Sequence, residues 1–353
     1  MNYIEKLRKS AEETGSIACM GLDPVIAALP KGFANVKKIP HFMREVFREM
    51  ENQNVLPGAF KPNQGFYLRN DEPLEGNGSD HGYYEGSKAL ARVIKTIRSN
   101  FEGIPICLDY KRGDIAKSSD NYAVEGFKSW EADAVTAAPY MGFDSVLPFA
   151  GRNPKNLEEA AKYCNDESGK GVYVLVRTSN LGAKDFQNLK VLPSTEELEK
   201  LIEENLVGEV PEGESKFIAE AVIDGSMPLY MAVASKVIDW AKNNPGIGAV
   251  IGATYLKELD EIARLIVSSG VEVPLLIPGI GKPSQGGQGG SADEVVAVLK
   301  GAEYPLELAR INSSSGLLQP WAKKKEPAPD DFAKVTVANL AELNELIGYK
   351  HVA

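Results

Sequence analysis

Eight short apolar runs, spaced through the chain and separated by helix-patterned stretches, restrict its fold more than any other feature of the sequence. The strand-like runs are Ser16–Leu22, Gly58–Phe60, Pro105–Asp109, Ala134–Ala138, Val172–Arg177, Gly248–Ala253, Pro274–Pro278 and Leu308–Asn312. Helical periodicity marks Pro40–Asn54, Tyr83–Ser99, Ser118–Glu131, Pro228–Asn244, Leu256–Ser268 and Ala292–Leu299, and predicts a last helix over about 331–347. Strands that alternate with helices form a parallel sheet, and eight of them point to a closed (β/α)8 TIM barrel in the α/β class. An open doubly wound sheet is the alternative. It would usually carry a Gly-rich turn after its first strand, and Gly21-Leu22-Asp23-Pro24 is not G-x-G-x-x-G.

Two segments interrupt the alternation. Asn70–Gly82 is polar and Gly-rich, as expected of a loop inserted after the second strand. A longer insertion, about 182–226, follows the fifth strand and contains a charged helical pattern at Ser194–Asn205. Neither an internal repeat nor a linker composition is present, so residues 1–353 read as one barrel domain. Lys323–Pro329 reads as a solvated connector into the final helix.

Charge and cysteine usage exclude several function classes. A net charge of −10 without a basic stripe argues against a nucleic-acid partner. No run of 18 apolar residues exists, so no transmembrane helix and no membrane partner are expected. The charged start Met1–Lys9 has no apolar core of a signal peptide. Cys19, Cys107 and Cys164 are scattered, and two lie in apolar runs where buried free thiols are expected; that suits a reducing cytoplasm. His41, His81 and His351 are far apart, and no metal site is expected.

Barrels of this kind carry their chemistry at the C-terminal ends of the strands. Asp23 follows the first run, Lys61 and Asn63 the second, and Asp109, Lys111 and Asp114 the third. Thr178-Ser179-Asn180 follow the fifth, Gly279-Ile280-Gly281 the seventh, and Ser313–Gly316 the eighth. Strand alternation puts Asp109 and Lys111 on one face, with Asp114 in the following loop. A lysine among carboxylates stays protonated and is a placed proton donor. The last two strand ends lie where such barrels commonly bind phosphate through backbone N–H groups. Taken singly, each of these features has a plainer reading: a surface ion pair, a turn, a helix cap, a solvated lysine.

Together they resemble one family. Lys61 followed by Asp109-x-Lys111-x-x-Asp114 is similar to the catalytic tetrad of the orotidine 5′-phosphate decarboxylases. Gly21–Pro24, Phe60–Tyr67, Asp133–Thr136, Pro139–Gly142, Val176–Asn180, Gly252–Tyr255 and Pro278–Gly281 extend the likeness over roughly residues 15 to 318. It looks like the longer bacterial-type branch. The resemblance implies cofactor-free decarboxylation of orotidine 5′-monophosphate to UMP in pyrimidine biosynthesis. Lys111 would protonate C6, Asp109 would face the substrate carboxylate, and Lys61 would bond the ribose. Asp114 would reach the ribose from the neighbouring subunit of a homodimer. Asp23, Asn63, Ser118, Thr178, Ser179, Gly279 and Gly281 would bind substrate, with Ser179 at the pyrimidine amide.

The phosphate end departs from the family pattern. Ser315 stands about where the family has an arginine, which loses a bidentate charged fork. The run Gly281–Gly290 is longer than usual, so either Gln285 or Gln288 would be the phosphate-contacting glutamine, and Lys282 is a candidate for the lost charge. Arg310 lies within the strand, not in the matching place. Two other functions remain: a magnesium-dependent sugar-phosphate decarboxylase or epimerase of the same barrel group, and a catalytically dead barrel that only binds nucleotide.

Overall fold

The computed structural model describes residues 1–75, 83–151, 163–165, 168–192, 226–281 and 289–349. Each of the eight apolar runs forms a strand: β1 (Ala18–Leu22), β2 (Ala59–Pro62), β3 (Cys107–Arg112), β4 (Ala134–Ala137), β5 (Gly171–Arg177), β8 (Ile247–Ile251), β9 (Leu275–Pro278) and β10 (Ala309–Ser313). Two further short strands, β6 (Lys190–Val191) and β7 (Met227–Pro228), pair antiparallel with each other. The large sheet runs β2-β1-β10-β9-β8-β5-β4-β3, with parallel pairing throughout. Parallel bridges Phe60–Ile106 and Asn63–Asp109 join its two ends. The ring is therefore a (β/α)8 barrel, and the doubly wound alternative falls.

Helices cover the barrel because their apolar residues recur every three or four positions. Ile39–Gln53 buries Phe42, Met43, Val46, Phe47 and Met50. Phe47 meets Phe60 of β2 and Phe101 edge-on, at 5.6 and 5.4 Å between centroids. The C-terminal helix is Phe332–Ile347, and its Phe332 stacks on Phe42 at 5.2 Å. No described helix is long and apolar enough to cross a membrane.

Arg310 has a structural task that its position in the strand did not reveal. It is fully buried at the N-terminal end of the barrel. Its guanidinium donates to the carbonyls of Gly58, Glu307, Ala309 and Leu7, at 2.7–3.0 Å. These bonds fasten the helix Tyr3–Thr14 across that end, and they occupy the Arg310 guanidinium with backbone carbonyls.

Two helices beside β3 and β4 differ from the sequence expectation. The helix after β3 is α-helical over Ala116–Val124 and then widens into a π turn at Glu125–Ser129, closed by Trp130 N–H to Glu125 O at 3.0 Å. Phe143–Ala150 forms a helix that was not predicted; Pro148 inside it masks the helical signal. In the first insertion, Glu72 and Tyr83 exchange backbone hydrogen bonds at 2.7 and 3.0 Å. The predicted helix Ser194–Asn205, with most of the second insertion, lies outside the described residues.

Candidate active site

The C-terminal ends of β1 to β4 bring three of the four tetrad residues into contact. Asp109 is buried, and each of its carboxylate oxygens is held by a different lysine. Lys61 Nζ donates to Oδ2 at 3.0 Å and Lys111 Nζ to Oδ1 at 2.5 Å. Lys61, which alone would read as a surface lysine, has a side chain only 4% exposed, whereas that of Lys111 is 50% exposed. Burial raises the Asp109 pKa, but the two ammonium groups overcome it and hold the carboxyl well below its usual range. Burial likewise pulls Lys61 down, and Asp109 and Asp23 more than reverse it, so Lys61 stays charged. The result is a fixed cation-anion-cation row with one end in solvent.

Simple strand alternation does not produce this contact. Leu108 pairs with Val135 and Arg112 with Ala137, so four steps along β3 oppose two along β4. Such a bulge re-aims side chains, and here Lys111 sits in the left-handed region at φ 44°. Thr136 of β4 holds the bulge. Its Oγ accepts from the backbone N–H of Tyr110 at 3.1 Å and of Lys111 at 2.9 Å, and donates to Asp109 Oδ1 at 3.0 Å. Thr136 was not among the predicted site residues; the one polar residue inside Ala134–Ala137 is the signal that could have found it.

A second device ties the ends of β2 and β3. The Arg112 guanidinium lies 4.9 Å from the ring centres of both Tyr110 and Tyr122. It donates to Gln64 Oε1 at 2.9 Å and to both oxygens of Glu125 at 3.1 Å. Gln64 Nε2 closes the triangle on Glu125 Oε1 at 2.7 Å. Glu125 is also the first residue of the π turn, so this triangle holds the start of that turn towards β3. Asn63, just before Gln64, accepts from Gly65 N–H at 3.1 Å, and its own N–H donates to Asp23 Oδ1 at 3.2 Å.

Asp114 is not part of the row within this chain. Its Oδ1 accepts from the neighbouring Ile115 N–H at 2.7 Å. Ser118 is exposed on the helix that follows. Around the rim, Thr178 and Ser179 leave β5 after a bulge, where Leu175 pairs with Val250 and Arg177 with Ile251. Ser179 packs so closely on Gly252 that a Cβ there would lie 2.8 Å from the serine Cβ, which only glycine permits. At the expected phosphate end, Gly281 N–H donates to Gly290 O and Gly289 N–H to Gly281 O, both at 3.1 Å, so the two ends of the Gly-rich run meet. Gly279 precedes this junction with φ 94°. Lys282, Gln285 and Gln288 lie outside the described residues. Ser315 is exposed at the start of the short helix Ser315–Leu318.

Comparison with known proteins gives one consistent answer. Residues 78–306 match the family model described as Orotidine 5′-phosphate decarboxylase / HUMPS family. The chain is 31% identical over 348 residues to the orotidine 5′-phosphate decarboxylase of Verminephrobacter eiseniae, with 98% of each chain covered. It is 32% identical over 317 residues to that of Herpetosiphon aurantiacus, covering 90% of this chain and 89% of the relative. Among solved structures, Leishmania donovani OMP decarboxylase overlays with a TM-score of 0.58 at 28% identity, covering 99% of each chain. Leishmania donovani UMP synthase overlays with a TM-score of 0.59 at 29% identity, where this chain spans 57% of the longer protein. On the family match and the near-full-length identity, the chain belongs to the orotidine 5′-phosphate decarboxylase / HUMPS family.

Proposed function

We propose that the protein decarboxylates orotidine 5′-monophosphate to UMP and carbon dioxide, the carboxy-lyase step of pyrimidine biosynthesis. The observation that carries this reading is the Asp109 carboxylate, buried and bound on one oxygen by Lys61 and on the other by Lys111. In the reaction the C6–carboxylate bond breaks, the electron pair stays on C6, and carbon dioxide leaves. An ammonium fixed beside C6 stabilises that pair without reorganising, and a Lys111 Nζ proton then passes to C6. At an effective dielectric of about 20, unit charges about 4 Å apart attract by about 4 kcal/mol. Lys111 therefore supplies part of the barrier reduction, and binding of the ribose phosphate supplies more by ordering the site.

In this scheme Asp109 faces the substrate carboxylate, Lys61 and Asn63 lie at the ribose with Asp23 behind them, and Ser179 meets the pyrimidine amide. Gly279, Gly281, Ser315 and either Gln285 or Gln288 hold the phosphate, and Ser118 lies beside Asp114. Asp114 reaches the ribose of a second subunit in a homodimer. Two things support that arrangement: its position outside the row in its own chain, and the exposed apolar Ile115, Tyr140 and Met141 on neighbouring loops. Coverage of 98% of the Verminephrobacter relative supports the longer bacterial-type branch; a single barrel domain over the chain and a cytoplasmic biosynthetic role belong to the same reading.

The family description spans two kinds of enzyme, while the curated relatives carry the decarboxylase name, so the sugar-phosphate alternative draws no support. The test is the absorbance change of orotidine 5′-monophosphate with EDTA present. Chelator-resistant turnover, lost by at least about a thousandfold in Lys111→Ala, is expected. Turnover that EDTA abolishes, or that survives the substitution, would overturn the reading.

A further inference from the structure

The first residues of the insertion after β5 turn back onto the loop that leaves the same strand. Gln187 is the point of contact. Its Oε1 accepts from the backbone N–H of Thr178 at 2.9 Å and from Arg177 Nη1 at 3.2 Å. Its Nε2 donates to Thr178 Oγ1 at 2.7 Å, and Thr178 Oγ1 in turn donates to Asn180 Oδ1 at 2.7 Å. The direction of this chain is fixed at its start, because an amide NH₂ can only donate. The single proton of Thr178 is thereby spent on Asn180.

Arg177 reinforces the grip from beneath. It is fully buried, with its guanidinium 3.8 Å from the Tyr255 ring centre and 3.5 Å from Glu258 Oε1. Gln187 is itself anchored, since its carbonyl accepts from Tyr230 N–H at 3.1 Å and Leu189 O accepts from Leu229 N–H at 2.8 Å. These bonds continue into the β6–β7 pair, so both feet of the insertion are fastened together at this point.

We propose that Gln187 is a positioning residue for the pyrimidine end of the site: it holds Thr178, and through it places Ser179, which Gly252 backs from the other side. Thr178 is then a link in the scaffold and not a donor to the base. This gives the described root of the insertion a task at the substrate, and it rests on the decarboxylase reading for the identity of the base.

The test compares two competitive ligands, UMP and ribose 5-phosphate, which share the sugar phosphate and differ by the base. For Gln187→Ala, the inhibition constant of UMP should rise about tenfold, while that of ribose 5-phosphate stays within about twofold. Gln187→Glu keeps the acceptor for Thr178 N–H and Arg177 but cannot donate to Thr178 Oγ1, so it should fall between wild type and alanine. Ser179→Ala should make the alanine substitution at 187 largely silent towards UMP. A merely structural role predicts equal weakening of both ligands with a lowered Tm, and that result overturns the inference, as does no effect at all. Should Gln187→Ala fail to fold, Gln187→Glu and Thr178→Val carry the same comparison by calorimetry. Wild-type turnover with equal weakening sinks the positioning role alone. Binding of UMP without turnover sinks the decarboxylase reading while the ligand comparison still decides Gln187. A wild type that binds neither ligand sinks both.

Discussion

Replacing Thr136 by valine should damage stability and turnover together, although no atom of Thr136 is expected to touch substrate. Valine keeps the approximate volume and the branched Cβ and puts a methyl in place of the hydroxyl. Three hydrogen bonds go with it: the one given to the Asp109 carboxylate and the two taken from the Tyr110 and Lys111 amides. A hydrogen bond to a charged group contributes about 1.5–3 kcal/mol, and a stranded buried N–H costs about 1–3 kcal/mol. Lys111 lies beside solvent, so its amide counts at the low end, and the total is about 4 kcal/mol. That is a large share of the roughly 5–15 kcal/mol that keeps a domain folded. Lys111 also holds a left-handed φ of 44°, a conformation that costs about 1–2 kcal/mol. Without its clamp the bulge relaxes towards ordinary strand. A displacement of about 1 Å of its ammonium would cost about a hundredfold in kcat. Urea unfolding, steady-state kinetics and UMP affinity on Thr136→Val and Thr136→Ser would measure this. Serine should be close to wild type. A valine variant within about 1 kcal/mol of wild type and within about threefold in kcat would refute the clamp.

Two further outcomes are expected. Asp109→Asn should lose about 3 kcal/mol at neutral pH, because Lys61 is left charged and buried without its partner; since the folded Asp109 pKa is depressed, its stabilisation is full above the unfolded value near 3.8 and fades as pH falls towards the lower folded value, so unfolding curves of the two proteins should converge in acid, and curves that stay parallel would refute the pairing. Mixing inactive Lys111→Ala and Asp114→Ala proteins should restore up to about a quarter of wild-type activity, because in the proposed homodimer half of the exchanged pairs would hold one intact site; no recovery would mean that Asp114 does not act across subunits.

The barrel was legible because its strands are buried on both faces, which leaves continuous apolar runs that no amphipathic helix would show. The ends of those runs displayed Lys61, Asp109 and Lys111 in order along the chain. What stayed hidden depends on contacts between elements distant in sequence. Thr136 acts on β3 from β4, and Gln187 acts on Thr178 from beyond a turn. Gln64, Arg112 and Glu125 form their triangle across three elements. Each is a common polar residue until its partner is known. Alternation put Asp109 and Lys111 on one face, yet the contact is made by a bulge that single-residue counting cannot foresee. Arg310 shows the converse: a charged residue in an apolar strand invites a functional reading, and its partners are four backbone carbonyls.

The Lys61–Asp109 pair makes little sense as a stabilising element, because desolvating two ions offsets most of their attraction. It makes sense as a mount for Lys111. A carboxylate bound on one oxygen could rotate and carry its partner with it. Asp109 is bound on both, with Lys61 at 3.0 Å and Lys111 at 2.5 Å, and Thr136 on Oδ1 besides. The ammonium of Lys111 is therefore fixed relative to the buried frame while its outer side stays open to solvent and ligand. Differential stabilisation requires that this cation lie nearer to C6 than to the departing carboxylate, since only then does its attraction grow as charge moves onto the carbon. In the proposed arrangement, Asp109 on the carboxylate side of Lys111 would do that, because it would offset the cation where the ground-state charge sits and leave it exposed where the new charge develops.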